Sequence, residues 1–174
     1  LRGEIRSAFL MTEPDVASSD ATNMQLSAVV DGDEIVLNGR KWFSTGAGHR
    51  DCAVYIVMGL GDPEADRHHR HSMVLVPADT PGVKIGRHEK KLGQRASYTC
   101  DILLEEVRVP ASAVIGGEGN GFKVAMRTFD RSRPWIAAGA AGVIRRAMDE
   151  SVAYAKERKT FGVAIGQHQA IQIM

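Results

Sequence analysis

Carboxylates and hydroxyls crowd into a few residues of "MTEPDVASSD" (11–20), directly after the apolar run Ala8-Phe9-Leu10-Met11. Pro14 has no N–H for a sheet ladder and biases Glu13 toward an extended conformation, so a loop leaves a strand here. Such a loop either bonds its own backbone to make turns or converges on a polar ligand. A second stretch, "NGRKWFSTGAG" (38–48), sets Trp42 and Phe43 beside Ser44 and Thr45 at the end of an amphipathic run. Aromatics next to hydroxyls at a strand end can stack a planar heterocycle and hydrogen-bond its edge. In a third, "YAKERKTFG" (154–162), Lys156, Arg158 and Lys159 crowd a helix end, where cations suit the dipole. With Thr160 they could clamp a diphosphate. Each stretch also has a plainer structural reading: a turn, a core aromatic, a capped helix.

Other candidates are weaker. His68, His69 and His71 in "RHHRH" lack a helical i, i+4 pair and a nearby cysteine, so they read as a solvated loop rather than a metal site. "GEGNG" (117–121) departs from the G-x-G-x-x-G fingerprint and has no βαβ unit around it; it reads as a hinge and helix entry. Ser18, Ser19, Ser44 and Ser97 sit in no G-x-S-x-G elbow, and His168 has no evident partner.

The elements that must position these residues come in two textures. From residue 7 to about 112 the pattern is β: "NMQLSAVV" (23–30) and "EIVLNGRKWF" (34–43) flank a hairpin signal at Asp31-Gly32-Asp33. "AVYIVMGL" (53–60), "HSMVLVPA" (71–78), "GVKIGRH" (82–88) and "YTCDILLEEVRVP" (98–110) continue it, separated by turn residues. Short strands at this spacing suggest a barrel or sandwich. After "GGEGNG" (116–121) a helical period begins. Phe122, Met126, Phe129, Ile136, Ala140, Val143, Ala147, Ser151 and Tyr154 predict one buried stripe. Pro134 predicts a kink or local start, Gly162 the helix end, and a second helix begins near Gln167. Segregated textures argue for α+β rather than alternating βαβ, with a β domain over 1–112 and the opening of a helical domain over 113–174.

Composition sets the bounds. The 174 residues are 44% hydrophobic and 25% charged, ordinary globular material for one domain and part of another. A net charge of +1 argues against a nucleic-acid surface. No run of about 18 apolar residues reads as a membrane span. Cys52 and Cys100 are too few for a disulfide framework and fit a reducing compartment. Leu1 at the start and the apolar-patterned "HQAIQIM" at the end suggest a piece of something longer.

Taken together, "MTEP", "NGRKWFSTGAG", "DTPGVKI", "LGQRAS", "EEVRVP", "GEGNGFKVAM" and "ERKTFG" followed by "HQAIQ" resemble, in order and spacing, the acyl-CoA dehydrogenases. Residues 86–174 look most like the medium-chain branch, notably "FDRSRPWIAAGAAG"; the opening "MTEPDVASSDATN" is closer to a long-chain-type branch, which leaves chain length open. The resemblance implies a middle β domain followed by the first helices of a four-helix bundle, with FAD as cofactor. It places Phe9, Leu10, Met11, Thr12 and Ser18 along the isoalloxazine, with Thr12 at the pyrimidine edge and Ser18 also near acyl-CoA. Phe43, Ser44 and Thr45 match the second flavin block, Thr45 at the N5 side. Arg158, Lys159, Thr160, His168 and Gln169 match FAD contacts across a subunit interface, and Asp130 and Arg133 match acyl-CoA contacts. Phe43 stands where the family usually has Trp, and Asp15-Val16-Ala17 replace the medium-chain Gly-Ala-Gly, making the loop bulkier.

The reaction so implied removes an α-proton from an acyl-CoA while hydride leaves Cβ for the flavin. A glutamate of raised pKa must take the proton. Where some branches carry it on the first bundle helix, this chain has Ser132. In the others it comes from a later loop, so these residues are expected to hold no catalytic base and not to turn over acyl-CoA alone. The resemblance further implies electron-transferring flavoprotein as acceptor, a homo-oligomer (a dimer of dimers), and a bacterial cytoplasm or mitochondrial matrix. Two alternatives stay open: an acyl-CoA oxidase or nitroalkane-oxidase-like flavoenzyme, and a non-enzymatic ligand-binding β module.

Overall fold

The computed structural model describes residues 3–174; Leu1 and Arg2, at the head of the expected β domain, lie outside the described residues. Short runs rich in apolar and β-branched residues form seven strands: β1 Arg6–Leu10, β2 Ser27–Asp31, β3 Glu34–Thr45, β4 Cys52–Leu60, β5 His71–Pro77, β6 Val83–His88 and β7 Thr99–Pro110. They build one mixed sheet, a half-barrel in the order β1-β4-β2-β3-β7-β6, with β5 also paired to β4. The β1–β4 pair is parallel and the β3–β7 pair antiparallel. The hairpin signal resolves to a two-residue turn, with Asp31 opposite Glu34 and Gly32 at φ +63°.

Inward residues close a single core: Leu10, Ile35, Leu37, Tyr55, Val57, Val74, Val76, Ile102, Leu104 and Val107 are almost wholly buried. Each such aliphatic side chain contributes roughly 1.5–3 kcal/mol relative to exposure. The β3–β7 ladder shifts register twice, between Leu37 and Gly39 and between Lys41 and Ser44. The second shift places Trp42 and Phe43 on a bulge, a local device for re-aiming side chains.

The α+β order holds. A 3-10 turn at Ala111–Ala113 leads into the glycine-rich joint, and helix α1 runs from Gly121 to Glu157. Its entry is fixed by contact with β5: Gly119 N–H donates to Ser72 Oγ at 3.0 Å. A Cβ on Gly121 would lie 2.7 Å from the Ser72 carbonyl carbon, so only glycine allows this approach.

The chain divides into two compact units, Leu1–Met126 and Arg127–Met174. Within α1 and after it, several expectations change. Along α1 the expected stripe is half-buried at Phe122 and Met126, but Ile136, Val143 and Tyr154 are 75%, 70% and 58% exposed. Periodicity marks a face built for burial, and the described residues leave most of that face open. α1 passes unbroken through Pro134, on an exposed stretch where water can satisfy the carbonyl that loses its partner. The helix also ends at Glu157, not Gly162. Lys159–Thr160 (β8) pairs with Val163–Ala164 (β9) around Phe161 and Gly162, at φ +53° and +83°, as a tight hairpin turn needs. A 3-10 turn at Ile165–Gln167 and the short helix α2, Gln169–Gln172, follow.

Candidate functional site

In the first unit the opening loop and the end of β3 meet through a buried ion pair. β3 alternates inward at Ile35 and Leu37, and on the far side of its first register shift Lys41 also faces inward, opposite Ile102. Lys41 is 0% and Glu13 4% exposed. The Lys41 ammonium donates to Glu13 Oε1 at 2.7 Å and to the Met11 carbonyl at 2.9 Å. Glu13 also accepts the backbone N–H of Leu26 on Oε1 at 3.0 Å and that of Gln25 on Oε2 at 2.7 Å. Burial pushes the Lys41 pKa down to about 8, with the Glu13 carboxylate opposing that shift. A buried charge is tolerated only when paired and hydrogen-bonded, and both partners here are.

Two further bonds set the loop. Trp42 N–H donates to the Thr12 carbonyl at 3.0 Å, joining the loop to the bulge on β3. Glu13 N–H donates to Ser18 Oγ at 2.8 Å, so Ser18 also closes the loop as a turn residue. Asp20 does the same, accepting from the backbone and hydroxyl of Thr22. In "MTEPDVASSD" Glu13, Ser18 and Asp20 hold the loop, as the turn-making reading expects, while Thr12 is exposed.

At the bulge, Phe43 sits at φ +49°, a conformation non-glycine residues rarely adopt, and the residue is 49% exposed. Trp42 meets it edge-on, ring centres 4.6 Å apart. Among the described residues the Trp42 indole N–H and Ser44 Oγ are buried without a hydrogen-bond partner, whereas Thr45 is exposed and its Oγ1 lies 3.4 Å from Thr99 Oγ1. Of the predicted flavin-lining residues, Phe9 and Met11 are half-buried. Leu10 is sealed in the core, so only its backbone is open to a ligand. An exposed ring on a strained backbone at Phe43, with exposed hydroxyls at Thr12 and Thr45, suits a planar heterocycle.

In the second unit the predicted cationic stretch converges with His168. The Arg158 carbonyl accepts from Ile165 N–H at 2.7 Å, and Thr160 Oγ1 lies 3.0 Å from His168 Nε2. His168 thus has a partner that sequence spacing alone did not reveal. Arg158, Lys159 and Thr160 are exposed and Gln169 opens α2 beside them. Asp130 and Arg133 share one exposed face of α1, 3.9 Å apart, with the guanidinium 5.4 Å from the Phe129 ring centre. Ser132 Oγ is spent on the Phe129 carbonyl.

One reading from sequence fails. His71 is not part of a solvated loop but the first residue of β5, 1% exposed, with Nε2 2.9 Å from the Met24 carbonyl. Its place at the start of an apolar run was the signal. His68 and His69 are exposed, and His68 packs on Phe122.

The description "Acyl-CoA dehydrogenase, middle domain" matches residues 8–107, and "Acyl-CoA dehydrogenase, C-terminal domain" matches residues 119–174. Cyclohexane-1-carbonyl-CoA dehydrogenase of Geobacter metallireducens is 44% identical over 166 residues, 95% of this chain and 42% of that protein. Among solved structures, an acyl-CoA dehydrogenase from Geobacillus kaustophilus superposes with a TM-score of 0.90 at 33% identity, covering 98% of this chain and 44% of that one. A glutaryl-CoA dehydrogenase from Mycobacterium smegmatis in complex with FADH2 gives 0.85 at 30% identity, covering 98% and 42%. The chain therefore spans less than half the length of the proteins it matches.

Proposed function

The chain belongs to the acyl-CoA dehydrogenase family, and from that premise we propose that it supplies the flavin-lining and part of the acyl-CoA-binding surface of an enzyme that oxidises an acyl-CoA thioester to its trans-2-enoyl-CoA in fatty-acid β-oxidation. One observation carries the reading. Two loops 30 residues apart in sequence, each with the residue types a flavin needs, are bonded to one another through Trp42–Thr12 and Lys41–Met11.

FAD, when bound, supplies the hydride acceptor. The residues of this chain do the positioning. Thr12 offers a hydroxyl for the pyrimidine edge and Thr45 one for the N5 side. Phe43 presents its ring for stacking, the Glu13–Lys41 pair fixes the loop behind it, and Ser18 closes that loop near the thioester. In the second unit Arg158, Lys159 and Thr160, with His168 and Gln169, are proposed to meet the FAD of a neighbouring subunit. Asp130 and Arg133 are proposed to meet the CoA portion. The α-proton needs a carboxylate base. The Ser132 hydroxyl is not one, so the base is proposed to be a glutamate outside these residues. Electron-transferring flavoprotein is the proposed acceptor and a dimer of dimers the proposed assembly.

Anaerobic addition of an acyl-CoA to the flavin-loaded full-length protein tests this. Bleaching of the flavin with formation of the 2-enoyl-CoA is expected. Rapid reoxidation by oxygen with release of peroxide would move the assignment to an oxidase, and absence of bleaching with any acyl-CoA would overturn it.

A further inference from the structure

Behind Thr45 lies a half-buried cation that has no part in the flavin site proposed above. Lys91 Nζ donates to Thr99 Oγ1 at 2.7 Å and to the Ser97 carbonyl at 2.8 Å. Thr99 is 4% exposed and stands opposite Thr45 in the β3–β7 ladder, and Glu89 N–H donating to its carbonyl at 2.8 Å pins it further. Its Oγ1 is 3.4 Å from Thr45 Oγ1.

We propose that Lys91 is a positioning residue that orients a two-hydroxyl chain, Thr99 then Thr45, so that Thr45 presents its proton outward as a hydrogen-bond donor to the bound flavin. An ammonium group has donors and no acceptor, so Thr99 Oγ1 must accept from Lys91. The Thr99 proton then turns away from the cation, and the hydroxyl across the ladder is its acceptor. Thr45, having accepted that bond, has its own proton free for the exposed side. A charge-assisted bond at one end of a hydroxyl chain polarises the next. The positive end of the chain therefore points at the flavin and favours its electron-rich reduced form. This rests on the assignment of Thr45 to the flavin made above.

The test is the reduction potential of FAD in the full-length protein, read against a reference dye for the wild type and for K91M, K91Q, T99V and T99S. K91M, K91Q and T99V are each expected to shift the reduction equilibrium about tenfold toward oxidised flavin, ~30 mV for a two-electron couple. T99S, which keeps the hydroxyl, is expected to stay within about twofold. A merely structural Lys91 would change unfolding but leave the potential in place. Flavin-loaded K91M and K91Q at the wild-type potential would overturn the proposal, as would a shift in them that T99V does not share. A wild-type protein that takes up no flavin would overturn the functional assignment and this inference together, which separates the two failures.

Discussion

Replacing Lys41 by Met removes a buried charge while roughly keeping the length of the side chain. Glu13 would retain the Gln25 and Leu26 N–H donors at 2.7 and 3.0 Å but lose its cation, and the Met11 carbonyl would lose its donor. Breaking one half of a buried ion pair costs about 3–5 kcal/mol. The two remaining donors to Glu13 place the expected cost near the lower end, ~3 kcal/mol. With a urea m-value of about 2 kcal/mol/M for a protein of this size, the unfolding midpoint should fall by ~1.5 M. These 174 residues hold two tryptophans, Trp42 and Trp135, so a W135F background leaves Trp42, the neighbour of the altered site, as the one indole among them. In the double variant K41M/E13Q the stranded charge is gone, but the amide oxygen can accept from only one of the two backbone N–H groups, so the recovery relative to K41M should be partial, ~1 kcal/mol. A K41M midpoint within about 0.3 M of the parent, or a double variant that is less stable than K41M, would refute the reasoning.

Phe43→Gly should separate stability from function. Relief of the left-handed backbone is expected to raise stability by up to ~1 kcal/mol, whereas loss of the stacking ring should weaken FAD binding about tenfold, ~1.4 kcal/mol; urea unfolding and fluorescence titration read the two. His71 gives a pH dependence. Desolvation, first, holds its pKa below the ordinary 6.5, and the Lys41 charge adds to this. The unfolded chain then binds the proton first as pH falls, so the stability His71 contributes is complete above about pH 6.5 and is lost progressively below it. H71Q should show a shallower loss of stability than the wild type between about pH 6.5 and 5 in parallel urea titrations.

The strands were legible as short, β-branched-rich runs between turn residues, and Asp31-Gly32-Asp33 marked the first hairpin to within a residue. The face that α1 would bury was legible too, but periodicity reports a face suited to burial and not the partner that covers it. Lys41 carried a signal that went unread. It follows Ile35 and Leu37 at odd positions of β3, and a lysine facing inward from a sheet implies a buried counter-charge. Its partner, Glu13, is 28 residues away, a distance over which spacing carries no information. The hairpin after α1 was hidden because Arg158 and Lys159 are good helix formers and poor strand formers. The turn depends on Phe161 taking a positive φ, which its side chain disfavours and only the tertiary setting imposes.

If the Met11–Ser18 loop and the bulged end of β3 form one flavin cradle, a crystal structure of the full-length protein with FAD will show it. The pyrimidine edge should lie within hydrogen-bond distance of Thr12, the ring system against Phe43 and Thr45 Oγ1 beside N5. A flavin bound elsewhere, with Thr12, Phe43 and Thr45 still facing solvent, would contradict it.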